Sequence, residues 1–452
     1  MKRLVPLLCL LAGLTLAAPA HADRPADPFD RPPDIPAHPL TDMLALVPLD
    51  GNTPIITYGD YRAAEAARVR QLVPQTYTEY RALNSFDLSF WLWTYSRIAY
   101  LHFDMSSHLA RTAPTMGETV GYEFFDIDRV MTYGLFPNSG VLLAGDFDRM
   151  AIDTAHERLG YIPATINGVA SWCSPNGCES GGQIDTNNIF NGTLFGGNLG
   201  RYQTFLTMPG FLASSTRFEQ IEAVADTSTG AQASVLARPD FQVAVRALLD
   251  PAHYNGQLVQ VQFFPEESVR TVVDLTPFPD FETYINALRT REIPRYMRPR
   301  EQWRDYRYGL LMPYVLALLA DRQEGDDQVA IAGLVYTDTA QAQAAAQEFS
   351  ARMATFSNED LSRSPRPFLE FMADVVISPP RVYTDATSGY AVLLLEVRYP
   401  RVQEEVVFFR VRDAQPMQPA VVYQFWLHGM NANGFYPIWD IRLPEWFYSA
   451  EW

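Results

Sequence analysis

Residues 314–338, YVLALLADRQEGDDQVAIAGLVYTD, contain two apolar runs separated by the polar sequence EGDD. Short apolar runs bounded by turn-forming residues are typical of paired β-strands. A helix is predicted directly after this pair, over 339–356, because apolar residues recur there at three- and four-residue steps. Two more strands are predicted within 375–400, on either side of DATSG. The order strand, strand, helix, strand, strand predicts an α+β fold with mainly antiparallel sheets and packed amphipathic helices.

The first half of the chain has a comparable arrangement. A strand is predicted over 140–147 and a helix over 148–160, with Asp148 as the N-cap and Gly160 at the C-terminal end. Both halves therefore place an amphipathic helix after a strand that ends in an acidic turn. Internal duplication explains this pattern, and so does coincidence between two common local sequences, so both explanations stay open.

Other elements follow from the same patterns. Hairpin turns are predicted at Asn167-Gly168 and at Pro209-Gly210, the second followed by a helix up to residue 226. The remaining predictions are helices over 57–72, 84–110, 124–134 and 239–250, and a strand over 256–264.

The predicted domain organisation has five parts. A chain of this length is suited to two or three domains. Residues 23–40 hold six prolines in DRPADPFDRPPDIPAHPL, which predicts an extended leader that forms no core. The parts are a signal peptide over 1–22, this leader over 23–40, an N-terminal α+β domain over 41–275, an arginine- and aromatic-rich linker over 276–309, and a C-terminal α+β domain over 310–452.

The N-terminus, MKRLVPLLCLLAGLTLAAPAHA, has the pattern of an export signal. A short basic region precedes an apolar stretch and the small-x-small sequence Ala20-His21-Ala22, after which cleavage is predicted. The mature protein is therefore predicted to be periplasmic or extracellular, with no transmembrane segment.

The net charge and the lysine content of the chain argue against several classes of function. The formal net charge is −17, which disfavours binding to nucleic acid or to anionic lipid. Lys2 is the only lysine, so the mature chain has no Schiff-base lysine, P-loop lysine or Ser-Lys pair. No cofactor is predicted.

Cys173 and Cys178 flank the sequence Ser-Pro-Asn-Gly. A zinc knuckle needs further ligands and a thioredoxin-type pair needs Cys-x-x-Cys, so neither fits. Pro, Asn and Gly suit a tight turn that brings the two thiols together. We therefore predict a structural disulfide, as expected in an exported chain.

A glycine-rich loop is predicted after this turn, over 177–200, with Asp and Asn among seven glycines. Oxygen ligands on such a loop are suited to calcium, although the spacing does not match an EF-hand. A surface loop without a ligand is the alternative.

Residues 289–309 carry seven arginines interleaved with Tyr and Trp. Guanidinium groups recognise carboxylates and phosphates in a bidentate manner, so this patch is a candidate site for an anionic ligand or another envelope protein. Pairing with acidic groups of the same protein is the alternative. The candidate binding residues are Arg295, Arg298, Arg300, Trp303 and Arg304.

The aromatic stretch 86–103 and the sequence HFDMSSH raise two weaker candidates. Aromatic side chains at helical spacing form either a core helix or a stacking platform for sugars or apolar ligands. Asp104 and His108 share a helix face, whereas His102 does not, so these residues form at most a metal half-site. A hydrogen-bonding role near a helix end is the alternative.

Catalytic motifs are absent from the sequence: there is no Gly-x-Ser-x-Gly, His-Glu-x-x-His, P-loop or Ser-x-x-Lys. Carboxylate pairs such as Asp126 with Asp128, or Asp280 with Glu282, cannot be assigned without distances. Our leading hypothesis is an exported, non-catalytic binding or envelope-associated protein. The alternatives are a secreted glycosidase- or esterase-like hydrolase and an assembly component that contacts another envelope protein.

Overall fold

A computed structural model of the chain defines the fold. It describes residues 34–49, 55–67, 74–83, 98, 113–135, 138–180, 202–266, 272–290, 311–355, 376–400, 440–442 and 444–446. The predicted signal peptide lies outside the described residues, as do 84–97 and 99–110 of the helix predicted over 84–110.

The described residues form nine α-helices. These are α1 (Pro39–Leu44), α2 (Tyr61–Ala66), α3 (Tyr77–Ala82), α4 (Ala113–Val120), α5 (Arg149–Arg158), α6 (Phe218–Ser228), α7 (Pro239–Leu249), α8 (Phe281–Thr290) and α9 (Thr339–Thr355). Among the described residues, none of the helices is both long and apolar enough to cross a membrane.

Fifteen strands are described. They are β1 (Ile56–Asp60), β2 (Ile127–Leu135), β3 (Asn138–Gly145), β4 (Ile162–Ile166), β5 (Val169–Cys173), β6 (Thr204–Met208), β7 (Phe211–Ser215), β8 (Gln257–Pro265), β9 (Val272–Asp274), β10 (Leu316–Glu324), β11 (Asp327–Tyr336), β12 (Val376–Ile377), β13 (Arg381–Thr384), β14 (Ala391–Pro400) and β15 (Asp440–Arg442). Within the described part, thirteen of them form one antiparallel sheet, and β9 and β15 form a small parallel pair. The α+β class is confirmed.

Helices cover both faces of the large sheet. On one face, α1, α6 and α7 pack on alternate strand residues such as Met131 and Leu318. On the other face, α2 and α4 pack on the intervening residues of the same sheet, such as Val130 of β2. Alternation of side chains across the sheet thus separates two apolar cores.

The strand order of the sheet repeats. In the first half the neighbours run β1-β2-β3-β7-β6, and in the second half they run β8-β10-β11-β14, with β12 and β13 both paired to β14. The two series join where β1 pairs with β8. The chain therefore builds the same antiparallel arrangement twice.

The register of the strands relates the two halves more closely. The hairpins β2–β3 and β10–β11 are closed by the residue pairs Leu135–Asn138 and Glu324–Asp327. Met131 and Ala320 are equivalent, since each lies four residues before the last paired residue of the first strand of its hairpin. Met131 pairs with Tyr58 of β1, and Ala320 pairs with Val261 of β8. Tyr58 and Val261 also face each other across β1 and β8, so an approximate two-fold axis passes through that pair.

The helices after the two hairpins begin in the same way. The Asp148 carboxylate accepts the backbone N–H of Met150 at 2.9 Å, at the start of α5. The Asp338 carboxylate accepts the N–H of Gln341 at 2.8 Å, at the start of α9. Together with the repeated strand order, these caps favour internal duplication over coincidence, the two explanations left open by the sequence.

The predicted division into two domains stays a prediction. The hydrogen-bonded neighbours β8 and β10 lie on opposite sides of the predicted linker 276–309, and the sheet is continuous through them. Part of that linker is α8.

Most local predictions are confirmed. Asn167 (φ 48°) and Gly168 (φ 87°) form the turn of the β4–β5 hairpin, and Gly210 (φ 72°) lies in the turn between β6 and β7. The capped helix after β3, the helix at 239–250 and the hairpin at 314–338 are also present.

Three predictions are wrong in part. Residues 127–134, predicted as helix, belong to β2, and 57–60 belong to β1, so the helix predicted over 57–72 begins only at Tyr61. Strand β2 pairs with both β1 and β3, and this non-local pairing outweighs local helical preference. The end of the predicted leader also differs, because Ile35 and Leu40 are buried in the core.

Candidate functional site

The predicted disulfide is confirmed at the end of β5. Cys173 is the last residue of that strand and is bonded to Cys178, with the two Cα atoms 4.4 Å apart. Between them, the N–H of Gly177 donates to the carbonyl of Ser174 at 2.9 Å, which closes the turn. Gly177 has a φ of 101°, a conformation that glycine adopts without strain.

This disulfide lies where the chain leaves the sheet and returns to it. The hydroxyl of Thr204, the first residue of β6, donates to the carbonyl of Cys178 at 3.1 Å. This hydrogen bond connects Cys178 to β6, and the disulfide connects Cys178 to β5. The two ends of segment 179–203 are thereby held together.

The predicted glycine-rich loop begins at this corner. Residues 177–180 are described, and Glu179 is exposed there. Residues 181–200 lie outside the described residues, so the calcium hypothesis stays a prediction. In the part of the chain that the structure describes, no group of three or more His, Cys, Asp or Glu side chains is placed to hold a metal ion.

A small aromatic cluster lies between α5 and the strands beside the disulfide. Its ring members are Tyr161, Trp172 and Phe205, and they form a core separate from the two large ones. The indole N–H of Trp172 donates to the Asp153 carboxylate at 2.8 Å, which fixes the ring against α5. The cluster thus packs the strands next to the disulfide against α5.

His156 is enclosed by this cluster. Its ring centroid lies 4.9 Å from that of Phe205 and 5.8 Å from that of Trp172. Nδ1 is 2.8 Å from the carbonyl oxygen of Ile152, so Nδ1 carries the proton and Nε2 is left as a buried acceptor. Burial lowers the pKa of His156, so the ring is neutral at pH 7. The sequence analysis missed this residue, since a lone histidine on an amphipathic helix gives no specific signal.

Several predicted site residues lie outside the described residues. These are the arginine-rich patch with Arg295, Arg298, Arg300, Trp303 and Arg304, the metal half-site candidates His102, Asp104 and His108, and the aromatic stretch 86–103 except for Ile98. Ile98 is buried and packs against Gly59 of β1, where a Cβ atom would lie 2.3 Å from the Ile98 Cγ2 atom. That contact favours a core role for this one residue of the stretch.

Three carboxylates of the pairs named from the sequence have hydrogen-bond partners within the fold. Asp126 accepts the N–H of Glu123 at 2.7 Å, and Asp128 accepts the Nε–H of Arg62 at 2.6 Å. Asp280 caps α8 by accepting the N–H of Thr283 at 2.7 Å. Asp126 and Asp280 therefore stabilise their own segments, whereas Asp128 joins β2 to α2.

A second cluster, which the sequence analysis also missed, joins α7 to the sheet of the second half. The guanidinium groups of Arg322 and Arg381 lie 4.7 and 5.1 Å from the centroid of the Tyr254 ring. The Tyr254 hydroxyl donates to Glu396 at 2.7 Å and accepts from Arg381 at 2.8 Å. Its members lie far apart in the chain, so no sequence motif marks them.

Reduction of the Cys173–Cys178 bond is expected to lower the free energy of unfolding by about 1–2 kcal/mol, because so short a loop restricts the unfolded chain only modestly. Urea unfolding with and without dithiothreitol measures this difference. Cys178→Ser, which keeps the buried Cys173 side chain, is expected to match the reduced wild type and to show no response to dithiothreitol. A loss above about 4 kcal/mol would mean that the bond supports the sheet as well as the turn.

Comparisons with known proteins give one distant match. No protein-family model and no curated protein matches this chain. The solved structure described as "Structure of crystal form I of TP0453" covers 77% of this chain and 90% of its own, with 7% sequence identity and a TM-score of 0.28. So low a TM-score does not indicate a shared fold.

Proposed function

We propose that this chain is an exported, non-catalytic binding protein of the cell envelope, and that segment 159–203 carries its binding surface. The observation that carries the proposal is the place of this segment in the repeated fold. It holds the β4–β5 hairpin, the disulfide corner and the start of the glycine-rich loop.

The repeated arrangement is complete without that segment. In the first half, α5 ends at Arg158 and the chain rejoins the repeated order at β6, which begins at Thr204. In the second half, α9 ends at Thr355 and the chain reaches β12 at Val376. The first half therefore has the longer connection, and β4 and β5 extend the sheet beyond the repeated strands.

Additions to a repeated scaffold often carry binding residues, since they vary without disturbing the scaffold. The disulfide reduces the conformational freedom of this addition, which lowers the entropy lost on binding. It also suits an oxidising compartment, in agreement with the predicted export signal. Pro175, Asn176 and Glu179 are exposed at the corner and available for contact.

Site-specific photo-crosslinking in the producing cell tests the proposal. A photoreactive residue in place of Glu179 is expected to give a discrete crosslinked product in the exported fraction. The matched control is Ala386, which is exposed in the turn between β13 and β14 on the other half of the fold. A photoreactive residue there is expected to give no such product.

Two results would contradict the proposal that the chain is an exported, non-catalytic protein. One is retention of the full-length chain in the cytoplasm with reduced Cys173 and Cys178. The other is turnover of a chromogenic ester or glycoside by the purified protein, provided that a substitution at the disulfide corner abolishes it. Equal crosslinking from both positions would exclude segment 159–203 as the specific surface.

A further inference from the structure

His38 is the N-cap residue of α1, a position that Ser, Thr, Asp or Asn usually occupies. Its Nδ1 atom accepts the backbone N–H of Leu40 at 3.1 Å, at the start of α1. The hydroxyl of Thr41 accepts the N–H of His38 at 3.0 Å, so each residue caps the other. An imidazolium ring has a proton on both nitrogens and cannot accept a hydrogen bond. This cap therefore exists only while His38 is neutral.

The capped segment is held in the core by contacts on both sides of His38. Asp34 forms an ion pair with Arg246 of α7, and Ile35 is buried. Leu40, Met43 and Leu44 of α1 are fully buried in the same core. The docked segment 34–44 thus contains a short helix whose first turn is capped by the imidazole of His38.

The charges around His38 come from three strands. Arg129 of β2 and Arg322 of β10 disfavour a positive charge on the ring, and Asp60 at the end of β1 favours one. Asp60 is already engaged, since it accepts the Arg129 Nε–H at 2.9 Å and the Tyr58 hydroxyl at 3.1 Å. On its own segment, His38 is accompanied by Asp34 and by Asp42 in the first turn of α1. A proton on His38 would therefore enter a half-buried site beside two guanidinium groups and a carboxylate that is already paired with Arg129.

We propose that His38 is an acid-sensitive latch, which holds segment 34–44 on the core while it is neutral and releases that segment when it is protonated. The latch is local, because the strands of the large sheet do not depend on this cap. For an exported protein, acidification of the surroundings would be the trigger, and the freed N-terminal segment would be the response.

The direction of the effect follows from the pKa. Burial, helped by Arg322 and Arg129, lowers the pKa of His38 to about 4. In an unfolded or released segment the pKa is about 6.5. Neutral His38 thus stabilises the docked state fully above about pH 6.5, and this contribution is lost as the pH falls from about 6.5 to about 4. Each pH unit in that window is expected to raise the opening constant by up to about tenfold.

Hydrogen–deuterium exchange of the full-length protein at pH 7 and at pH 4.5 tests the latch. After correction for the intrinsic exchange rate, the peptide covering 34–44 is expected to exchange at least about tenfold faster at pH 4.5. The β10–β11 hairpin serves as the internal reference and is expected to stay protected at both values. Loss of protection in both segments would indicate global acid unfolding and would overturn the proposal.

Two variants separate titration from capping. Asparagine is a good N-cap that does not titrate, so His38→Asn is expected to keep segment 34–44 protected at both pH values. His38→Ala removes the cap and is expected to expose the segment at both values. If His38→Asn opens at pH 4.5 as the wild type does, another group drives the change and the latch is refuted.

Discussion

Arg322→Met is expected to lower the free energy of unfolding by about 3–5 kcal/mol, because it removes one partner from a buried charge cluster. The Arg322 side chain is only 4% exposed. Its guanidinium donates to the carbonyl oxygens of Leu248 at 2.9 Å and Gly256 at 2.7 Å, at the two ends of the connection from α7 to β8. Methionine fills the volume but leaves the carbonyls of Leu248 and Gly256 without their donor, and it removes the positive charge 3.8 Å from Glu324. Urea unfolding at pH 7 measures the loss.

Arg398→Met is the matched control for Arg322. Arg398 also pairs with Glu324, at 2.6 Å, but its side chain is 33% exposed. Solvent screens such a pair, so we expect a loss of no more than about 1 kcal/mol. Equal losses for the two variants would show that burial of Arg322 does not determine its contribution.

The repeated fold indicates that Arg322 stabilises the protein through its own contacts and is not required for the strand order. Arg322 precedes the end of its hairpin by the same two positions as Tyr133 in the first half. Tyr133 is buried against the apolar core at that place. The fold therefore accepts an uncharged side chain there, and the expected loss arises from the partners that Arg322 leaves behind.

Asp60→Ala is expected to lower the free energy of unfolding by about 3–5 kcal/mol. The Asp60 side chain is only 8% exposed and accepts three hydrogen bonds, from Arg129, from the Tyr58 hydroxyl and from the N–H of Ala63 at the start of α2. Its removal leaves a partly buried guanidinium without its carboxylate and a helix without its cap. Urea unfolding at pH 7 measures this loss as well.

Asp148→Ala isolates the capping contribution. Asp148 caps α5 in the same manner, but it is exposed. Loss of an exposed cap costs about 1 kcal/mol, so the difference between the two variants reports the buried contacts with Arg129 and Tyr58. A loss of only about 1 kcal/mol for Asp60→Ala would mean that Arg129 finds another partner.

Features that depend on a few neighbouring residues are predicted correctly from the local sequence. Asn167-Gly168 predicts its hairpin because only a few residue types accept positive φ. Asp148 predicts a helix start because its carboxylate reaches the next turn. Cys173 and Cys178 predict a disulfide because the intervening turn brings them together. The α+β class follows from the succession of such local elements.

Features that depend on distant partners are visible only in the three-dimensional fold. Residues 127–134 form a strand because β1 and β3 supply hydrogen bonds on both sides, which no local pattern records. The repeated strand order is visible in the register, whereas the two halves share little sequence. His38 and Arg322 are ordinary polar residues in the sequence. Their special chemistry comes from burial beside charges that the fold brings from other strands, because desolvation and Coulomb energy depend on three-dimensional surroundings.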